Sequence, residues 1–196
     1  MKKKASARDL PTLPFATPRA FADWLAGNHT TSRGLWIKFA KAASGIASIA
    51  YAEALEAALR WGWIDGQSRR IDDTWYLQKF TPRGARSIWS KINCGKATAL
   101  IAAGKMKPAG LAEVERAKRD GRWARAYDSP RSATVPDDLA AALARNARAA
   151  AFFADLDSRN RYAILHRVQT AKKPETRARR IETFVKMLAR REKLYP

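Results

Sequence analysis

The sequence predicts an α+β protein, a small antiparallel sheet packed with helices and followed by a helical C-terminal module. Strand-like runs fall at 34–39 and 63–80. The last third of the chain repeats apolar residues at helical spacing. Between the two lies 123–135, a stretch with Ser129-Pro130 and no clear period. The organisation read from this is a flexible N-terminus at 1–16, an α+β domain at 17–122, a linker at 123–135 and a helical module at 136–196.

Each element has a local reason. Thr17-Pro18 reads as N-cap and first helical residue, with Phe21, Trp24 and Leu25 on one face and Gly27-Asn28 as the stop. From Gly34 to Phe39 the residues alternate, Leu35, Ile37 and Phe39 sharing a face as in a half-buried strand. After a loop containing Gly45, a helix with Tyr51, Ala54, Leu55, Ala58 and Leu59 on one side runs into Trp61-Gly62. Trp63 to Phe80 reads as strand, turn and strand, with Asp72-Asp73 as the turn. Pairing 63–68 with 76–81 places Asp65 near Lys79, where a charge pair can form across the strands. Helices at 88–103 and 108–120 follow, separated by Gly104 and closed by Gly121. In the last third, Leu139 and Leu143 point inward from a helix at 137–145, and Phe152, Phe153 and Leu156 end the next. Ser158 is placed to cap a helix holding Tyr162, Leu165 and Val168. The final helix begins at Pro174, with Ile181, Phe184, Val185 and Leu188 as its apolar stripe.

Composition excludes some classes. With 196 residues, 46% apolar and 29% charged, the chain is globular rather than disordered. No run approaches the roughly 18 apolar residues of a membrane span. The basic N-terminus leads into Leu-Pro-Thr-Leu-Pro rather than an apolar segment, so the expected location is the cytoplasm. One cysteine, Cys94, leaves no internal disulfide and no thiolate-built zinc site. Lys91 and Lys96 would activate Cys94 if the three converge; otherwise it is a small passive side chain. His29 and His166 lie far apart without acids at ligand spacing, and Gly95-Lys96 lacks the upstream glycine of a phosphate loop. No metal or other cofactor is expected.

Charge is the strongest global feature, with 38 Lys and Arg against 18 Asp and Glu, a net +20. Such an excess attracts polyanions through counterion release, although Ala- and Arg-rich proteins are often basic without a nucleic-acid partner.

Between Asp65 and Asn93 polar groups interleave with aromatics: Asp65, Lys79, Arg83, Trp89, Lys91 and Asn93 among Trp61, Trp63, Trp75, Tyr76 and Phe80. One reading is a core with a cross-strand ion pair. The other is a cleft with aromatic walls and convergent polar groups, as small-ligand sites have. In it Lys79 and Arg83 hold an anionic group, Trp89 stacks, and Asp65 and Asn93 orient a polar group. A separate nucleic-acid surface would use Arg69 and Arg70 with Arg179, Lys186, Arg190 and Lys193 of the last helix, extended to 193. Glu175–Arg179 and Glu182–Lys186 are, however, acid-first pairs at i, i+4, the pattern of a solvated face.

The runs "LRWGWIDGQSRRIDDTWYLQKFTPR", "SIWSKIN", "LIAAGKMKPAG" and "YAILHRVQTAKKPETRARRIETFVKML" strongly resemble the bacterial YdeI/OmpD-associated, or bacteriocin-protection, proteins. The resemblance extends in order from Phe21 to Leu194. The family pattern W-I-D-G falls on Trp63 to Gly66, F-T-P-R on Phe80 to Arg83, W-S-K-x-N on Trp89 to Asn93, and A-K-x-x-E-T-R on Ala171 to Arg177. Ala50 departs from it, since relatives carry Ser or Thr there and close a capping box with Glu53. The resemblance implies an α+β N-terminal part, a helical C-terminal module, and a role in envelope stress and tolerance of cationic antimicrobial peptides. Iron handling, discussed for remote relatives of the N-terminal fold, needs a carboxylate-rich patch; 67–135 has six acids against fifteen bases.

The expected function is therefore that of a cytoplasmic stress or peptide-resistance accessory protein. It acts by binding a small anionic ligand or a protein partner around Asp65–Asn93 rather than by catalysis. Nucleic-acid binding through the basic surface is the alternative. An enzyme with Asp65 as general base is a third reading, opposed by nearby cations that lower its pKa.

Overall fold

The structure is a computed structural model, and it describes residues 10–196. Two compact units emerge. One takes the chain up to Ile88 together with Asn93–Ala124; the other takes Trp89–Ile92 and Arg125–Pro196.

The first unit is built on a sheet of four strands in the order β1-β2-β4-β3, where β1 is Thr12–Pro14, β2 Leu35–Ala40, β3 Trp63–Arg70 and β4 Trp75–Pro82. The sheet is mixed rather than antiparallel, because β1 runs parallel to β2. Part of the N-terminal stretch read as flexible is thus a strand, with Phe15 buried just beyond it; residues 1–9 lie outside the described residues. Pro11 and Pro14 have no N–H to donate and suit an edge strand, and Trp36 N donates to the Pro11 carbonyl at 2.8 Å.

The β3–β4 hairpin forms as its sequence dictates. At its tip the Asp72 carboxylate accepts from the amides of Thr74 and Trp75, both at 2.7 Å, the usual device by which Asp closes a turn. A bulge interrupts the ladder between Asp65 and Ser68, and Asp65 stands opposite Phe80 rather than Lys79.

Two helices, α1 (Pro18–Asn28) and α2 (Tyr51–Arg60), supply the rest of the core, Phe21, Leu25, Ala54 and Ala58 packing with Leu35, Ile37, Phe39, Trp63 and Phe80. Thr17 caps α1 through Ala20 N at 3.2 Å. Ala50 has no side-chain oxygen to cap α2, yet half of the box survives: Ala50 N donates to the Glu53 carboxylate at 2.9 Å. Helices α3 (Lys91–Ala102) and α4 (Pro108–Arg119) follow. Gly62, at φ 73°, lies where a Cβ would meet the Ala109 carbonyl oxygen at 2.9 Å, so the turn after α2 takes glycine on both counts.

In the second unit, α5 (Asp137–Ala144), α6 (Ala147–Ala154), α7 (Ser158–Gln169) and α8 (Pro174–Ala189) bury Leu139, Leu143, Phe152, Phe153, Ile164, Val168, Phe184 and Leu188 in one core. The cap of α7 is Asp157, which accepts from Asn160 N at 2.8 Å; Ser158 is already inside the helix. The stretch 123–135, read as a linker, is structured. Tyr127 bridges to Ser90, donating to the Trp89 carbonyl and accepting from Lys91 N. This pairing is why α3 starts at Lys91 and not at Ile88. No helix among the described residues is long and apolar enough to cross a membrane.

Candidate functional site

The six residues expected to share a ligand site are distributed over both units: Asp65, Lys79, Arg83 and Asn93 in the first, Trp89 and Lys91 in the second. Most already have partners. Asp65 accepts from the Tyr51 hydroxyl at 2.8 Å instead of pairing with Lys79. Lys79 keeps its aliphatic stem beside Gly66. Arg83 is buried, its Nη1 donating to the Ile88 carbonyl at 3.2 Å and its own carbonyl accepting from Arg116. Trp89 and Asn93 are buried. Lys91 Nζ pairs with Asp128 at 2.7 Å. Of the two tryptophans in "WGW", Trp63 is core, whereas Trp61 is half-buried against the His29 ring at 4.4 Å. Cys94 is not activated: burial pushes its thiol up to about 11, against a weaker opposing pull from Arg83.

The proposed nucleic-acid residues are also largely satisfied. Arg70 pairs with Asp73, Lys186 with Glu182 at 2.6 Å and Arg190 with Glu192 at 2.9 Å. Helix α8 ends at Ala189, so Lys193 is not on its basic face, while Arg179 remains exposed on it.

A concave site lies elsewhere, in the second unit. A cavity of about 800 Å³ is lined by Arg159, Tyr162, His166, Arg167, Arg180 and Tyr195, among others. Helix α7 supplies most of the wall. Arg159, Tyr162, Ala163, His166, Arg167 and Thr170 recur at three- and four-residue steps, so they form one stripe, opposite the buried Ile164, Leu165 and Val168. Tyr195 is pinned beside it by Asn160, which accepts from Tyr195 N at 2.9 Å and donates to its carbonyl at 3.2 Å. Arg167 then donates to the Tyr195 hydroxyl at 3.1 Å, and the Arg159 guanidinium sits 4.4 Å from its ring centre. Arg180, from α8, donates to the Arg167 carbonyl. Among the described residues none of these three arginines meets a carboxylate. Their guanidinium groups keep donors for an anion.

The electrostatics follow from burial and these cations. His166 lies edge-on to Tyr127 with centres 4.7 Å apart, and burial, helped by Arg167 and Arg180, holds its pKa below the ordinary value. It is neutral at pH 7, offering one donor and one acceptor. Tyr162 donates to the Asp128 carbonyl at 2.9 Å, and burial raises its pKa; the Tyr195 phenol is lowered by the hydrogen bond from Arg167. Asp128, almost fully buried, takes hydrogen bonds from Lys91 and Gln169, which hold its carboxyl below the usual range. Among the described residues, no hydrogen bond in the cavity pairs a nucleophile with a base, and the donors of its lining are chemically suited to an anion.

The sequence reading puts Tyr162 on a helix with Leu165 and Val168 and gives no role to Asn160, Arg180 or Tyr195. The i, i+4 series Ser158, Tyr162, His166 and Thr170, polar or aromatic throughout, was the available signal for a functional stripe. Arg177 of the A-K-x-x-E-T-R motif is structural: it grips Asp138 of α5 through two bonds, at 2.5 and 2.8 Å, and donates to the Val168 carbonyl.

Comparison with known families divides the chain much as the fold does. Residues 132–191 match the family described as Bacteriocin-protection, YdeI or OmpD-Associated, a shorter span than the Phe21–Leu194 resemblance drawn from motifs. Residues 13–113 match a different family, described only as a domain of unknown function, DUF8412. No curated protein and no solved structure matches the chain. Residues 132–191, in the C-terminal unit, are thus similar to the YdeI/OmpD-associated bacteriocin-protection family, and with just over half of its length covered by the other match the chain belongs to the DUF8412 family.

Proposed function

We propose that this is a binding protein of the cytoplasm that serves stress or peptide resistance by taking up a small anionic ligand. The site is the cavity of the second unit rather than the Asp65–Asn93 stretch. One observation carries the reading: three arginines, Arg159, Arg167 and Arg180, which meet no carboxylate among the described residues, converge on one concavity. The guanidinium fork matches carboxylate and phosphate oxygens. His166, neutral and half-buried, supplies a directional hydrogen bond, and Tyr162 and Tyr195 supply the apolar walls. Arg83, Lys91 and Asp65 are less suited, since each is engaged within the protein. The name of the matched C-terminal family supports the link to bacteriocin protection.

Calorimetric titration of the full chain with pyrophosphate tests the binding. Saturable uptake is expected in the wild type and at least a tenfold loss in Arg167→Ala/Arg180→Ala, the size of two charge-assisted hydrogen bonds. Equal heats from both proteins would remove the site. The resistance role is tested apart from it: a host strain lacking the protein should lose tolerance to a cationic peptide and regain it with the wild type but not with the double variant.

A further inference from the structure

The second candidate surface is on the first unit and uses none of the cavity residues. In the sheet, Trp36 is opposite Lys79, Lys38 opposite Leu77, and Leu77 opposite Arg69. Paired residues share a face, and alternate residues of a strand share it too, so Trp36, Lys38, Arg69, Trp75, Leu77 and Lys79 lie together. The other face, with Leu35, Ile37, Phe39 and Phe80, is the one covered by α1 and α2.

Both tryptophans are capped by cations. The Arg69 guanidinium sits 4.3 Å from the centre of the Trp36 ring, and the Lys38 ammonium 4.1 Å from that of Trp75. Trp36 is buried, while Arg69 is exposed. Neither Lys38, Arg69 nor Lys79 forms an ion pair among the described residues; of the acids of this hairpin, Asp65 is bonded to Tyr51, and Asp72 and Asp73 are at its tip. A tryptophan covered by a movable cation differs from one covered by an apolar side chain. The cation can leave at little cost and be replaced by any flat ring, and it then remains nearby to neutralise a negative charge.

We propose that this sheet face binds single-stranded nucleic acid. Bases stack on Trp75 and Trp36 in place of Lys38 and Arg69, which, with Lys79, move to the phosphates. Stacking a base on an aromatic side chain is stronger than an exposed cation–π contact, so the exchange is favourable. Trp36 and Trp75 are separated by four residues of β2, since Trp75 pairs with Ala40, which is about 13 Å. That distance suits stacked bases of one short strand. A duplex offers no free base faces and would be held by its phosphates alone.

Fluorescence anisotropy of the full chain with labelled oligo-dT and oligo-U of about 12 nucleotides, and with a duplex of that length, tests this. The single strands are expected to bind at least about tenfold more tightly than the duplex and to quench tryptophan emission. Trp75→Ala should weaken binding about tenfold, and Lys79→Glu, a change at a half-buried position on the face turned away from the core, should weaken it and flatten its salt dependence. Arg167→Ala/Arg180→Ala should leave it unchanged, which separates this surface from the anion cavity. The proposal is overturned if duplex and single strand bind alike, if Lys79→Glu binds as the wild type does, or if no binding is measured at about 0.1 M salt, where exposed charges are already screened.

Discussion

Replacing Asp128 by alanine tests how the second unit is held together. The Asp128 side chain is 11% exposed and accepts from Lys91, whose side chain is 64% exposed, and from Gln169. An ion pair with so exposed a lysine contributes at the low end of about 0.2–1 kcal/mol. The buried hydrogen bond from Gln169 to a charged acceptor contributes about 1.5–3 kcal/mol, and its loss leaves an amide N–H unsatisfied. Asp128→Ala should therefore cost about 2–3 kcal/mol, Asp128→Asn, which keeps one acceptor, about half as much, and Lys91→Met well under 1 kcal/mol. Urea unfolding followed by circular dichroism, together with hydrogen exchange of the α7 amides, measures the order. The folded carboxyl lies below its unfolded value of 3.8, chiefly through the Lys91 bond. The stabilisation is thus complete above that pH and fades below it, so the gap between wild type and Asp128→Ala should close in acid. If Lys91→Met costs as much as Asp128→Ala, or Asp128→Ala falls within about 0.5 kcal/mol of wild type, the network does not hold 123–135 in place.

Four further outcomes follow from single residues. A Cβ on Gly110 would stand 2.3 Å from the Arg60 carbonyl oxygen and 2.5 Å from Met106 Sδ, so Gly110→Ala should lose about 2–3 kcal/mol or fail to fold, as urea midpoints will show. Gly95 in α3 has open space at the same test, and Gly95→Ala should gain about 0.5–1 kcal/mol. With its thiol pushed up to about 11, Cys94 should react with iodoacetamide at pH 8 on the order of a hundredfold more slowly in the native than in the denatured chain. His166 has a folded pKa below its unfolded 6.5, so its contribution to stability is present above pH 6.5 and is lost as pH falls below it. His166→Asn should remove that slope from a plot of melting temperature against pH; an unchanged slope would mean that His166 titrates alike in the folded and unfolded chain.

The elements were legible where local chemistry decides them. The Thr17 cap, the Asp72 turn, and the stripes of α2 and α8 each depend on neighbours within about one turn or hairpin, and each stands where the residues place it. Strand β1 was hidden because its two prolines signal a loop, and only its parallel pairing to β2 at the sheet edge makes it a strand. The start of α3 shifted because Trp89 and Lys91 pair with Tyr127, a partner 36 residues beyond Lys91 that no local pattern announces. Register displaced the site in the same way: the hairpin pairs Trp63 with Pro82, one residue off the expected pairing, so Asp65 faces Phe80 and its carboxylate accepts from Tyr51.

The net charge misled for a related reason. A sequence counts cations but does not say which of them already have an acid. Arg70, Lys186 and Arg190, conspicuous in the sequence, are each paired with a carboxylate within three or four residues. Such exposed pairs add little stability and leave little charge to offer a ligand. Lys38 and Arg69, resting on tryptophans, and Arg159, Arg167 and Arg180, gathered around tyrosines and a neutral histidine, are cations of a different kind, with no ion pair among the described residues. The excess of +20 is thus organised in at least two chemically different ways, one in each unit and one in each of the two matched families. A flat array of cation-covered rings suits a strand with exposed bases, and a concave group of guanidiniums suits a compact anion. A single charge-reversal on either surface should therefore affect one ligand class and spare the other.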